Sequence, residues 1–362
     1  MNGNSNRLLS TTQVSVGIAS TMLGVGMITL PREVLSASKA ASGWVSVLIV
    51  GCLVVFISLA FVHLNNRYPD RTYFQYSDVI VGKFIAWWLT LFATFYYTVF
   101  AAYEVRAMAE LIRMFILDRT PIQVTIIIFI ASAIYLIMGG AYAIFRLTEL
   151  YFPFILLFII IIIALSSSKF EINHIRPFFE GATPIIKGMT GTVISFIGFE
   201  VILFLQSMMK NPGEARKAVF IGVVVPTLIY AVIVLAVAGI MGVGETITLV
   251  FPLMELAKSI ELQDFFFERF ETFFIPLWIL VIFTTFVVSL YVASLGLKKL
   301  FRIPSGKAIY LLIPICYLMA MTPKNINQVF QVGDLIFYLM VGTMVFMPLL
   351  LLVVSFVRGH KG

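Results

Sequence analysis

The sequence predicts an all-α integral membrane protein of about ten transmembrane helices, arranged as two inverted five-helix halves in which helices one and six are broken. Three observations predict it. The chain of 362 residues is 60% hydrophobic and only 12% charged, where a soluble domain carries about 25% charged residues, and its mean hydropathy is +1.02. Apolar runs of ~20 residues alternate with short polar joints along its whole length. The first of these runs is interrupted at Gly24-Val25-Gly26, and the sixth is interrupted around Phe196 to Glu200.

Span one, Ser10 to Leu35, concentrates the special residues. Glycine in a helix interior costs roughly 1 kcal/mol relative to alanine. Ser20, Thr21, Thr29 and Pro31 crowd the same stretch. In hydrocarbon, freed backbone groups are tolerated only when buried in protein or lining a cavity. A half-helix that restarts after such a break presents free N–H groups and a positive dipole end. Many transporter folds hold an anionic substrate group that way near the bilayer midplane. Close helix packing at small residues is the other reading of the same glycines.

Span two is expected over Gly43 to Leu64, and Tyr68 to Lys83 reads as a loop with a short interfacial piece. Span three is long, Phe84 to Ile116, and opens with the interfacial anchors Trp87 and Trp88. Thr120-Pro121 starts span four, which stops at Gly139-Gly140. Span five covers Leu147 to Leu165, and a polar connection with Arg176-Pro177 leads to span six, Ile185 to Met209. Asn211-Pro212-Gly213 is a turn. Span seven follows over Ala218 to Met241. Gly242 to Phe267 reads as an amphipathic connection bearing Glu245, Glu255, Glu261 and Asp264. Spans eight, nine and ten are expected at Glu268 to Leu297, Lys307 to Met321 and Leu335 to Phe356, with Asp334 marking the start of the last. The two repeats are then approximately 8–168 and 183–357 of a single membrane domain.

The net charge of +7 is explained by the positive-inside bias rather than by nucleic-acid binding. Arg67, Arg71, Lys83, Arg146, Lys210, Arg216, Lys217, Lys298, Lys299 and Arg302 fall in alternate loops on one side. That side is assigned to the cytoplasm, with both termini on it. The short polar Met1 to Leu9 and the lack of a small-residue cleavage site give no sign of a signal peptide. Cys52 and Cys316 lie in apolar segments, and His63, His174 and His360 are scattered, so neither a disulfide framework nor a metal site is expected. No phosphate loop and no nucleophile with a base is present in the sequence, so neither an enzyme nor a cofactor is expected.

Several runs, in order along nearly the whole chain, resemble the B subunit of spore nutrient-germinant receptors, the GerAB type. They are Thr21-Met22-Leu23-Gly24-Val25-Gly26 closing at Thr29-Leu30-Pro31, Glu104-Val105-Arg106-Ala107-Met108-Ala109-Glu110, Arg119-Thr120-Pro121-Ile122-Gln123-Val124, Arg176-Pro177, Glu268-Arg269-Phe270-Glu271 and Thr284-Thr285-Phe286-Val287. The resemblance implies the amino acid–polyamine–organocation transporter superfamily and its inverted five-plus-five fold. It implies a receptor for a small nutrient in the spore inner membrane. It also implies two partners, a larger A membrane subunit and a C lipoprotein.

The candidate ligand-binding set follows. On span one it is Thr21, Gly24, Val25 and Gly26, whose amides are expected to face a ligand carboxylate. On span three, Tyr96, Phe100 and Glu104 share one helix face; the two aromatics either wall a pocket or are plain core. Glu104 has no cation at i+3 or i+4, and an acid within an apolar helix is a functional candidate. It binds a ligand ammonium, lines a hydrated path, or pairs with a cation on another span. Arg106, Glu110 and Arg113 are expected to form a separate ion network at the helix end. On span six, Ile197 and Gly198 are expected to touch ligand, while Glu200 lies near it or caps freed amides. On span eight, Thr285, Ser289 and Leu290 are candidates, though a threonine can satisfy its hydroxyl on its own helix. The functional expectation is an amino acid sensor acting through partner subunits. The alternatives are a secondary transporter, with proton coupling through Glu104 as one form of it, and a conduit for water or ions.

Overall fold

The computed structural model describes residues 8–69, 71–260 and 271–359. The N-terminal Met1 to Arg7, the acids Glu261 and Asp264, the Glu268 to Phe270 part of the span-eight motif and His360 lie outside them. Among the described residues six helices are long and apolar enough to cross a membrane, two bent helix pairs each make a further span, and two shorter apolar helices complete the order.

Span one is Thr11–Leu23 followed by Gly26–Ser38, bent by 52°. Ser10 starts it with a capping box to Gln13, and Lys39 ends it in the left-handed conformation. Span two is Gly43–Asn66, span three Lys83–Phe115, span four Ile122–Met138 and span five Gly140–Ser166. Span six is Ala182–Phe196 followed by Phe199–Met208, bent by 48°. Span seven is Ala215–Thr246, span eight Glu271–Phe301 and span nine Ser305–Met321. Span ten runs from Ile326 to Val357 and contains a π-helical stretch at Val341–Phe346. Two short helices, Tyr73–Val81 and Pro252–Lys258, sit in the connections after spans two and seven.

Three boundaries differ most from expectation. Span five starts at Gly140 rather than Leu147, so Arg146 lies in the helix and not in the loop before it. Span seven continues past Met241 through a kink at Gly242, whose φ of +73° suits a residue without a Cβ. Span ten starts at Ile326 rather than near Asp334, because Asn325 caps it by accepting from the Gln328 N–H at 3.0 Å. The polar residues Gln328, Gln331 and Asp334 obscured its first turns in the hydropathy pattern.

Spans one, two, six and seven pack as one group, through contacts of two with seven, of both halves of one with seven, and of the second half of one with six. Small residues allow the close approach: Gly51 of span two faces Thr227 of span seven, and Gly222 of span seven faces Ile18 of span one. Span three packs along span eight and, less extensively, against nine and ten. The first half of span one also reaches five and eight. The two breaks therefore lie where the first group meets spans three, eight and ten.

Candidate functional site

Each break exists because a local residue sequence cannot continue the helix. At break one, Gly24 adopts φ −18°, ψ −130°, and the helix restarts at Gly26. At break two, Ile197 is extended and Gly198 has φ +114°, a conformation that side chains with a Cβ rarely adopt.

The two breaks touch one another reciprocally. A Cβ on Gly26 would lie 2.9 Å from the Ser195 Cα of span six. A Cβ on Gly198 would lie 2.7 Å from the Thr21 carbonyl oxygen of span one. Each glycine thus admits the backbone of the other broken helix. Tyr230 of span seven joins them on the carbonyl side. Its hydroxyl lies 2.5 Å from the Met22 carbonyl and 3.0 Å from the Ser195 carbonyl, so one proton is shared between the carbonyl ends of both first half-helices.

The freed amides are met by carboxylates. Glu200, fully buried, accepts from the Gly198 N–H at 2.8 Å and from the Tyr96 hydroxyl at 2.6 Å. It is the cap of its own break, the second of the two roles open to it in the sequence. Glu104 serves break one from span three. The Val25 amide lies near its carboxylate, and a Cβ on Gly24 would meet Oε2 at 2.9 Å and Oε1 at 3.0 Å. Glu104 is 2% exposed, and its Oε2 has no hydrogen-bond partner among the described residues.

Between the breaks is a small cavity of about 30 Å³, room for little more than one water. Of the candidate residues, Thr21, Gly26, Phe100, Glu104 and Ile197 line it. Met22, Thr29, Tyr103, Ile194, Ser195, Gly333 and Ile336 complete the wall. Gly24 and Val25 lie behind it, against Glu104. Tyr96 stacks on Phe100, with ring centroids 6.1 Å apart, and reaches Glu200. Gly198 faces the Thr21 backbone instead of the cavity.

The span-eight candidates serve the first half of span one. Thr285 donates to the Ser20 carbonyl at 3.2 Å and to its own Val281 carbonyl at 3.1 Å. Ser289 donates to the Thr285 carbonyl at 2.8 Å, and Leu290 is fully buried; none of the three lines the cavity. Ser20, Tyr151 and Thr284 join in a buried hydroxyl cluster beside them. The Arg106–Glu110–Arg113 network forms as expected, with Glu110 bonded at 2.8 Å and 2.6 Å, and Arg106 also donates to the Ala320 carbonyl.

Sequence reading missed several contributors, among them Tyr103, Ile194 and Ser195 in the cavity wall. Gly333 was out of view because span ten was started too late, and Ile336, inside the expected span, looked like any other apolar residue of it. Tyr230 carried a usable signal: a tyrosine deep in an apolar span needs a partner for its hydroxyl. Its two partners are backbone carbonyls freed by breaks distant in sequence, which no local pattern shows.

The family described as "Spore germination protein" matches residues 8–329 of the chain. Among curated relatives, the spore germination protein YndE of Bacillus subtilis (strain 168) is 34% identical over 96% of both chains. Spore germination protein A2 of the same organism is 34% identical over 94% of both chains. Among solved structures, MhsT in complex with L-phenylalanine superimposes with a TM-score of 0.72 at 12% identity, over 99% of this chain and 91% of that one. The nucleobase-cation-symport transporter MHP1, in a closed conformation with bromovinylhydantoin bound, gives a TM-score of 0.56 at 12% identity, over 94% and 77%. The architecture is the inverted-repeat transporter fold.

Proposed function

This chain belongs to the spore germination protein family, whose members are permease-like integral membrane proteins and not enzymes, and we propose that it is the nutrient-sensing B subunit of a germinant receptor in the spore inner membrane. In this reading a small nutrient, an amino acid, binds at the midplane between the breaks of spans one and six. The A membrane subunit and the C lipoprotein read the resulting conformation, and both termini face the cytoplasm. The repeats 8–168 and 183–357 supply one break each.

The observation that carries the reading is the reciprocal contact of the two breaks around a cavity lined from spans one, three, six and ten. A cavity this small does not hold an amino acid, so binding requires the two groups of helices to separate. A ligand that prefers the separated state shifts the population toward it by its differential affinity. That MhsT has L-phenylalanine in its complex supports an amino acid as ligand for a chain of the same fold.

The test is a thermal-shift panel of amino acids, sugars and nucleosides on the purified full chain. A ligand bound to the native state alone raises apparent stability by mass action. The expected result is a shift with a small subset of amino acids that is lost in Gly24→Leu, together with loss of the nutrient response in spores carrying that variant at normal abundance. A normal response from such spores would remove the site assignment. The transporter fold itself favours a second reading, in which the nutrient is moved across the membrane. Uptake of labelled ligand into liposomes separates the two: uptake supports transport, and binding without uptake supports sensing.

A further inference from the structure

Break one, the expected seat of a ligand carboxylate, already has a carboxylate in it. Glu104 lies against Gly24, close to the Val25 amide. A ligand carboxylate placed on the same amides would have to displace the Glu104 carboxyl group, whose oxygens already occupy the space beside Gly24.

The same side chain leaves one demand unmet. Oε2 of Glu104 is buried, has no hydrogen-bond partner among the described residues, and belongs to a residue in the cavity wall. The lining residues include no lysine, arginine or histidine. Arg106, two residues on, is held by Glu110 and the Ala320 carbonyl. Of the lining hydroxyls, Thr21 donates to the Gly17 carbonyl at 2.6 Å, Thr29 to the Val25 carbonyl and Ser195 to the Gly26 carbonyl at 3.4 Å each, and the Tyr103 hydroxyl is not bonded to Glu104 Oε2. Glu104 Oε2 is therefore a buried acceptor to which no lining residue donates. Buried carboxylates in membrane proteins pair with a cation or a polar network.

We propose that the cavity selects ligands carrying a primary ammonium group, that Glu104 Oε2 is its anchor, and that break one does not hold the ligand's carboxylate. This rests on the receptor reading above and reverses the ligand orientation that the glycine break by itself suggests. The ammonium is a compact triple donor. The cavity is about that size, so the head group fits beside Glu104 once the walls part to admit the remainder. Phe100, Ile197 and Ile336 supply apolar surface for the rest of the ligand.

The experiment is a thermal-shift titration of the full chain with matched probes: the amides of alanine, valine and leucine, which keep the ammonium and lack the carboxylate, and the N-acetyl derivatives, which do the reverse. The expected result is that at least one amide stabilises the protein, its N-acetyl counterpart does not, and Glu104→Gln weakens amide binding at least tenfold. Stabilisation by N-acetyl derivatives without amides would overturn this proposal and leave the receptor reading standing. Amide binding unchanged in Glu104→Gln would also overturn it. Silence from both series and from the free amino acids would remove both readings. The comparison of amide with N-acetyl derivative uses the unaltered chain, so it decides the orientation even if the variant fails to fold.

Discussion

The two breaks solve one problem in different ways. Break two is satisfied from within: Glu200 is two residues from Gly198 and folds back onto its N–H, with Tyr96 bracing the second oxygen. Break one is satisfied from outside: its carboxylate comes from span three, and one oxygen of that carboxylate is left without a partner. The neighbours of the two glycines differ in the same sense. A Cβ at Gly198 would strike backbone, while a Cβ at Gly24 would strike the end of a flexible side chain. Break two is therefore a rigid joint, and break one is a joint whose stabilising group can leave. In the receptor reading proposed above, a ligand acts by favouring one of two discrete arrangements, and break one is the joint at which they would differ.

Substitutions break this comparison in order of size. Gly198→Val combines a disfavoured φ with a backbone clash, and should destabilise by about 3 kcal/mol or more, read as loss of folded protein in detergent. Near-normal yield would mean that break two is not rigid. Glu200→Ala strands the Gly198 N–H and the Tyr96 hydroxyl in a dry interior and should cost about 2–3 kcal/mol; Glu200→Gln, which keeps one acceptor, should cost less. If the two variants unfold alike, the cap is not acting through hydrogen bonds. Tyr230→Phe removes the donor shared by two carbonyls, at about 1–2 kcal/mol, and should loosen both breaks, measured as faster hydrogen exchange around Leu23 and Phe196.

Two smaller effects sharpen the contrast. Thr285→Val removes one interhelical bond and should cost only about 0.6 kcal/mol, the usual worth of such bonds in membranes. A cost several times larger would show that the hydroxyl cluster around Ser20 acts as a unit. Glu104→Gln should change stability by less than about 1 kcal/mol, because the amide keeps the shape and an acceptor oxygen beside Gly24 and strands no side-chain donor. The same change at Glu200 should cost visibly more. Equal costs at the two positions would erase the distinction between an internal cap and a movable one.

Much of the molecule was legible because bilayer physics acts on local sequence. A span must be apolar over ~20 residues, and a break must place small or polar residues inside it. Apolar runs separated by Asn211-Pro212-Gly213, Thr120-Pro121 and Gly139-Gly140 therefore determined the order of the helices. The Gly-x-Gly and Gly-x-Glu interruptions determined which two are broken. The acid at Glu104 marked itself by having no cation one turn away, at i+3 or i+4. The shape of the cavity was decided only in three dimensions. That Gly198 meets Thr21, that Gly26 meets Ser195, that Tyr230 joins both helix ends, and that span ten closes the wall with Gly333 and Ile336 are contacts between residues far apart in the chain. Periodicity and hydropathy report what one helix needs from its surroundings. Which neighbour meets that need depends on packing, and packing brought a carboxylate to the break where the sequence alone suggested open amides.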